Sequence, residues 1–420
     1  MAQWNKQYRN MKFFSTLALA LVAILASCAS DKSLKYGDEC SSDYLPILKE
    51  KRVALLSNHT GIVGNKIDVE LKNGHLLPAD SVAMAGGRHI LDVMLEEGVN
   101  VTAIFSPEHG FRGTADAGEH VGNDTDPKTG IPILSLYSPG SYRPSAESMA
   151  KFDALVVDIQ DVGTRFYTYY ITMKRLMEAC AAEGKKVVIM DRPNPNGFFV
   201  DGPILDMSLK SGVGAIPIPV AHGMTLGELA LMMNGEGWLA DGLICDVDVI
   251  KCRNYTHAMR EPLVFAPSPN LKEMAAIYAY PSTCYFEGTI VSLGRGTDKP
   301  FLIYGHPDMQ DCDFVFTPRS ISGAKNPPCL DQECHGVDLT STDEFTGKVD
   351  FSYVIDAYNK LGGREDFFLR NGFFDLLTGD RSIKERIIAG ATAEDLAASW
   401  KEDVAAFKAL RAKYLLYPEN

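Results

Sequence analysis

The sequence predicts an α/β protein in which a Rossmann-like parallel-sheet domain is followed by a smaller α+β C-terminal domain, with an active-site cleft between them. Three observations carry that expectation. The front half repeats a short apolar run, a polar loop and a helical stretch, the order that right-handed crossovers impose on a parallel sheet. The apolar runs are continuous rather than alternating, as in strands covered on both faces. After about Asp241 the composition changes, and Pro, aromatics and loops dominate. At 420 residues the chain is long enough for two cores.

The first residues stand apart from that pattern. Lys6, Arg9 and Lys12 precede an apolar run from Phe13 to Ala26. It is short for a membrane span but has the form of a signal h-region. The run ends Leu25-Ala26-Ser27-Cys28, which resembles a bacterial lipoprotein box. Residues 1–28 then read as a lipoprotein signal with Cys28 lipidated, although Met11 is an alternative start and an uncleaved anchor stays open. This implies an exported, membrane-anchored lipoprotein facing the periplasm or the cell surface. Residues 29–44 read as a tether, 45–241 as the Rossmann-like unit and 242–420 as the smaller unit. Eight cysteines follow Cys28 without a Cys-x-x-Cys spacing; Cys329 and Cys334, five apart in a Pro-rich loop, are candidates to pair, while Cys180 and Cys245 sit in apolar contexts.

The predicted strands come in order, each with a polar loop behind it. Arg52 to Leu56 leads into Ser57-Asn58-His59-Thr60-Gly61, and Val101 to Phe105 into Ser106-Pro107-Glu108-His109-Gly110. Ala154 to Ile159 leads into Gln160-Asp161-Val162-Gly163-Thr164-Arg165, and Val187 to Met190 into Asp191-Arg192-Pro193-Asn194-Pro195. Ile216 to Val220 leads into Ala221-His222-Gly223-Met224-Thr225, with a helix from Leu226. His89 to Glu97 and Tyr169 to Glu183 carry apolar residues at helical spacing. In the back half Leu243 to Ile250 and Leu339 to Phe345 read as strands, and Phe351 to Leu361 and Ala393 to Tyr414 as helices. In an open α/β sheet the loops after the strand carboxyl ends form the ligand crevice, so all five loops are expected at one edge.

Charge and missing motifs narrow the chemistry. A net charge of −13 argues against nucleic acid, whose phosphates require a basic stripe. No Gly-x-Ser-x-Gly elbow, phosphate-binding Gly-Lys-Ser/Thr loop or His-Glu-x-x-His is present, and no Gly-x-Gly-x-x-Gly follows the first strand. No cofactor is called for.

What remains is a crevice of carboxylates, amides, imidazoles and Arg. Glycosidic hydrolysis needs a protonated acid at the leaving oxygen and a second group at the anomeric carbon. Glu108, with His109 beside it, is the candidate acid, and a capping carboxylate is its bland alternative. Asp161 or Asp191 supplies the second carboxylate, whereas Asp158 lies within its strand and reads equally as a buried structural group. Arg165 and Arg192 are candidate anion readers, and Asn58, Gln160, Asn194 and His222 candidate hydroxyl and amide contacts. Tyr167, Tyr169 and Tyr170 offer rings that stack on a sugar or pack in a helix. From the second unit, Phe286-Glu287-Gly288 and Gly294-Arg295-Gly296-Thr297-Asp298 bring Glu287 and Arg295. Two other readings remain open: a non-catalytic sugar-binding lipoprotein, and a metal-dependent hydrolase using Glu108, His109, Asp158, Asp161 and Asp191.

The motifs Ser106 to Gly113, Asp158 to Tyr169 and Asp191 to Pro195 resemble the NamZ-type exo-β-N-acetylmuramidases, a bacterial family formerly catalogued as a domain of unknown function. The resemblance continues through His222-Gly223-Met224-Thr225, Pro267-Ser268-Pro269-Asn270, Gly294-Arg295-Gly296-Thr297 and Tyr414-Leu415-Leu416-Tyr417. It implies an exo-acting glycoside hydrolase that releases N-acetylmuramic acid from the non-reducing ends of peptidoglycan fragments, with the family's catalytic Glu at Glu108. Lys66 to Arg88 departs from the pattern by its length. On this substrate Arg165, Arg192 or Arg295 would read the lactyl carboxylate. The 2-acetamido group admits a substrate-assisted route with Asp161 as polariser, beside nucleophilic and inverting routes. The sequence sets no oligomeric state.

Overall fold

A computed structural model describes residues 32–67, 75–78, 81, 84–107, 111, 124–136, 143–341 and 347–420. Residues Lys35–Asn420 form one compact unit. Its framework is a seven-stranded sheet in the order β3-β4-β2-β1-β5-β6-β7. The strands are β1 (Arg52–Ser57), β2 (Asn100–Phe105), β3 (Asp124–Thr125), β4 (Pro132–Leu134), β5 (Ala154–Asp158), β6 (Lys186–Met190) and β7 (Val247–Ile250). All neighbours are parallel except the edge pair β3–β4. β5 is buried along its whole length, which is why its sequence reads as an unbroken apolar run.

Successive strand residues divide between two cores, as the pleat requires. Ala54, Leu56, Ala103, Phe105, Leu155, Val157 and Ile189 face one core. Val53, Leu55, Ile104, Val156, Val188 and Met190 face the other. The second face is covered by α1 (Ser41–Leu48) and α2 (Ile90–Glu96), through Tyr44, Leu48, Ile90, Leu91 and Met94. The first is covered by α4 (Tyr169–Ala182) and α5 (Leu226–Gly235), after the short α3 (Ala146–Met149). α4 is buried on nearly all sides, and its two buried charges, Lys174 and Glu178, pair one turn apart.

Behind the sheet comes α6 (Met274–Thr283), then a three-stranded antiparallel sheet in the order β8-β10-β9, from Ile303–His306 (β8), Phe314–Phe316 (β9) and Cys334–Asp338 (β10). Five helices complete the chain: α7 (Ser352–Lys360), α8 (Phe373–Thr378), α9 (Arg381–Ile388), α10 (Ala393–Ser399) and α11 (Lys401–Arg411). One buried apolar cluster runs from Ala54 to Phe407 and joins both halves. Among the described residues no helix is long and apolar enough to cross a membrane, and the eight cysteines after Cys28 are thiols.

Five expectations change. The strand expected from Leu339 to Phe345 lies earlier, as β10 (Cys334–Asp338), and Leu339 to Ser341 are outside it. The segment 29–44 is not a tether throughout: Tyr36, Asp38, Cys40 and Tyr44 are buried, and Lys35 exchanges backbone bonds with Arg253, because a sheet apolar on both faces needs α1 as cover. Ile216–Val220 is no sheet strand; Pro217 and Pro219 remove alternate amide donors. The strand after Asp241 belongs to the large sheet, since β7 pairs with β6 from Val187↔Val247 to Met190↔Ile250. The expected helix from Ala393 to Tyr414 is two helices that meet at Trp400.

Candidate functional site

The chain leaves β1 toward β2 and β4 on one side, and toward β5, β6 and β7 on the other. The crevice beyond the carboxyl ends of β1 and β5 is therefore the topological switch point, where ligands of open α/β sheets bind. The loops that meet there are tied together. Asn58 Oδ1 accepts bonds from Thr60 N (2.9 Å) and Thr60 Oγ1 (2.6 Å). Gln160 N donates to Thr60 Oγ1 at 3.0 Å, and Gln160 Nε2 donates to the carbonyls of Asp161 and Pro193, both at 2.9 Å. Asn58 Nδ2 donates to the Tyr169 hydroxyl at 2.9 Å. Tyr167 and Tyr169 both donate to Pro267 O, at 2.8 and 3.1 Å, and His59 Nε2 lies 2.8 Å from Ala266 O. The segment 266–267 thus packs over the β1 and β5 loops.

Among the described carboxylates of this crevice, Asp161 has chemistry to spare. Its Oδ1 accepts from Gly163 N at 2.7 Å, while Oδ2 is buried and has no hydrogen-bond partner among the described residues. Burial raises its pKa from the usual 3.8 to about 7, against the opposing pull of the Gly163 and Val162 amides. Gly163 has φ +76, and a Cβ there would stand 2.0 Å from Asn194 Oδ1. Only glycine allows that turn to aim its amide at Asp161. Asp161, Gln160, Arg192, Asn194 and Thr225 line a small pocket at the ends of β5 and β6, with room for about one water molecule.

Several expected ligand contacts turn out to be committed elsewhere. Arg165 is fully buried; its Nη1 donates to Pro203 O (2.7 Å) and Ile218 O (3.0 Å), and its Nη2 to Leu377 O (2.9 Å) and Thr378 O (2.7 Å). It caps the carboxyl end of α8 and is not an anion reader. Arg192 forks onto Asp158 (Nε–Oδ1 2.6 Å, Nη2–Oδ2 3.0 Å) and reaches Asp38 Oδ2 at 2.6 Å. These ion pairs inside the protein use Nε and Nη2. Burial raises the Asp38 pKa, although Arg192 pulls it down.

Asp191 is likewise structural. Its Oδ1 accepts from Gly227 N (2.9 Å), and its Oδ2 from Thr225 Oγ1 (2.7 Å) and Tyr417 OH (2.6 Å). Desolvation lifts it to about 6. It anchors the start of α5, whose capping box joins Thr225 and Glu228. Asn194 is a turn residue that donates to Met224 O and accepts from Asn196 N, at 2.9 and 2.8 Å. His222 accepts from Met224 N at 3.2 Å, and burial pushes its pKa down to about 3, so it is neutral. Because Ile216–Val220 is outside the sheet, His222 does not share the strand-end crevice by the expected route.

From the back half, Arg295 donates to Glu287 through Nε (3.1 Å) and Nη2, and its guanidinium lies 5.2 Å from the Phe301 ring centroid. Nη1 makes neither bond to Glu287. Both side chains keep about a fifth of their surface exposed (22% each), unlike Arg165 and Arg192. Tyr280 connects them to the crevice: it is 6.1 Å from the Tyr167 ring and feels the charges of Glu287 and Arg295. Glu108 and His109 lie outside the described residues, as does Cys28. The residues flanking Glu108 are described: Ser106 at the end of β2 is buried, and Phe111 packs edge-on to His89 at 5.2 Å. His89 in turn lies 2.7 Å from Asn58 O. Sequence reasoning gave no role to Asp38 or Tyr417, whose partners are 154 and 226 positions away.

Residues 53–275 match the family model of the exo-β-N-acetylmuramidase NamZ N-terminal region, and residues 278–417 match that of its C-terminal region. The chain belongs to the NamZ family. Its relatives include the peptidoglycan β-N-acetylmuramidase NamZ of Bacillus subtilis (strain 168), 36% identical over 400 residues, or 90% of each chain. A crystal structure of a DUF1343 family protein from Bacteroides fragilis NCTC 9343 is 53% identical, with a TM-score of 0.81 over 92% of this chain and 100% of that one. A second such protein from the same organism is 27% identical, with a TM-score of 0.74 over 91% and 99%. The two NamZ models meet near residue 276, inside α6, beyond the last strand of the large sheet.

Proposed function

We propose that this protein is an exo-acting glycoside hydrolase that releases N-acetylmuramic acid from the non-reducing ends of peptidoglycan fragments. The observation that carries the reading is membership of the NamZ family over nearly the whole chain, with a relative named as a peptidoglycan β-N-acetylmuramidase. The site agrees in its chemistry. A carboxyl with a pKa near 7 and an oxygen without a partner among the described residues stands at the switch point, and a partly exposed Arg295 is available to an acidic sugar.

In this reading Glu108 is the general acid that protonates the leaving oxygen. Asp161 is the second carboxyl, acting as an anion on the sugar or on its acetamido group. Arg295, held side-on by Glu287, receives the lactyl carboxylate through Nη1. Asp191, Arg165 and Arg192 hold the fold beneath the site. The metal-dependent alternative loses support because Asp158 and Asp191 are engaged by Arg192 and by α5. We further propose an exported lipoprotein anchored through Cys28, on the strength of the basic, apolar and Leu25-Ala26-Ser27-Cys28 segments. A panel of chromogenic N-acetylhexosaminides with and without the lactyl ether tests the activity. Turnover confined to lactyl-bearing β-glycosides is expected; binding without turnover of any member would favour a sugar-binding lipoprotein instead.

A further inference from the structure

The loop after β6 grips the Asp161 turn at several points. Gln160 Nε2 bridges the Asp161 and Pro193 carbonyls, both at 2.9 Å. The Asn194 amide lies so close to Gly163 that no Cβ fits between them. Asn196 completes the grip, because its Nδ2 donates to Val162 O at 2.8 Å. That oxygen and the Gly163 N–H belong to one peptide unit, and the N–H donates to Asp161 Oδ1 at 2.7 Å. A peptide is planar and turns as one body. Whatever holds its oxygen therefore aims its N–H.

The same nitrogen of Asn196 donates to Ile277 O, in α6, at 3.1 Å. Four residues further on, inside the helix, stands Pro281, which has no N–H to give that carbonyl. Asn196 takes up the acceptor that the proline leaves over and joins it to the Asp161 turn. Beyond Pro281 the chain passes through the turn Cys284–Gly288, which carries Glu287, the partner of Arg295. Asn196 is fully buried, and its Oδ1 has no partner among the described residues. Leaving a buried acceptor unpaired is costly; the two donor bonds are what the side chain contributes.

We propose that Asn196 is a positioning residue for Asp161: by holding the oxygen of the 162–163 peptide it aims the Gly163 N–H at the carboxyl, and it fixes that turn to α6. This role rests on the part given to Asp161 above. Gly163, at φ +76, offers little resistance of its own, since glycine moves freely between backbone conformations. Without Asn196 the peptide can rotate, and the Asp161 anion loses a donor. The Tyr167 and Tyr170 hydroxyls sense the charge of Asp161, and Arg192 lines the same pocket. Asn196 itself does not titrate, so its effect on Asp161 is one of geometry.

The test is Asn196→Ala in the full chain, alone and combined with Asp161→Asn. Loss of the donor should move the Asp161 limb of the kcat profile up by about one pH unit. Above that limb kcat on a chromogenic muramide should fall roughly ten- to a hundredfold, with KM within about twofold. An unmoved or lowered limb overturns the proposal. Adding Pro281→Ala to Asn196→Ala gives Ile277 O a donor within its own helix. It should recover part of the lost urea midpoint and leave the limb displaced; a limb restored with the midpoint would make Asn196 a prop for α6 and overturn the positioning role. Unfolding supplies a readout that needs no turnover. The gap in urea midpoint between Asp161→Asn and the parent widens with pH until Asp161 has ionised, and with Asn196→Ala in both proteins it should keep widening to about one pH unit higher. A gap that stops growing at the same pH overturns the proposal. Wild-type protein without turnover would count against the glycosidase reading, and the urea midpoints would still decide the role of Asn196.

Discussion

Replacing Asp161 with Asn tests whether a buried carboxyl at the switch point is held near neutrality. Asn keeps an acceptor for the Gly163 amide and removes the titration. Folding raises the Asp161 pKa from 3.8 to about 7 by desolvation. A raised folded pKa means that the unfolded chain gives up its proton first. The stability is therefore intact below pH 3.8 and is lost progressively as pH rises toward 7. At about 1.4 kcal/mol per pH unit, the full loss is about 4 kcal/mol as a ceiling, since denatured chains stay partly compact. Asp161→Asn should escape it. Urea unfolding of both proteins from pH 3.5 to 8 reads the difference. The variant should gain on the wild type by about 2–4 kcal/mol between the two ends of that range. A difference independent of pH would refute the burial argument. Activity supplies an independent sign: an anionic Asp161 gives a kcat that rises through pH 7, and the variant should lose that limb along with about 10²–10⁴-fold in rate.

Other predictions follow from groups the fold has committed. Arg165→Leu strips the charge-assisted donors from four buried carbonyls and should cost about 3–5 kcal/mol, read as a lowered urea midpoint; a loss below ~1 kcal/mol would remove its clamp role. Burial depresses the His222 pKa from 6.5 to about 3, so its stability is complete above pH 6.5 and falls as pH drops toward 3, opposite to Asp161. His222→Gln should flatten that acid-side slope in the same unfolding series, and an unaltered slope would contradict a buried neutral imidazole. Arg295→Ala should raise KM for lactyl-bearing glycosides about tenfold or more while sparing plain N-acetylglucosaminides; equal losses would remove Arg295 from lactyl recognition.

The parts of the fold that were legible are those where local pattern and tertiary demand coincide. The runs at Arg52, Val101, Ala154 and Val187 are strands buried on both faces, and continuous apolar sequence has few other uses there. Ile216–Val220 carries the same hydrophobicity, but Pro217 and Pro219 deny it a ladder. α1 was hidden because its reason for docking lies in the uncovered face of the sheet rather than in its own short sequence. Within the site, an Arg after a strand looks alike whether it meets a ligand or a protein carbonyl. Arg165 is settled by carbonyls as far away as Thr378, and Arg192 by Asp38. Asp161 and Asp191 both follow strands, yet Tyr417 and the start of α5 occupy Asp191 alone. Long-range partners of this kind leave no local spacing to read.

The most direct measurement of the central claim is release of N-acetylmuramic acid from a chromogenic muramide by Glu108→Gln beside the wild type, with muramide binding followed calorimetrically. The account predicts turnover lowered by about 10²-fold or more with binding and folding retained. Undiminished turnover in the variant would contradict it.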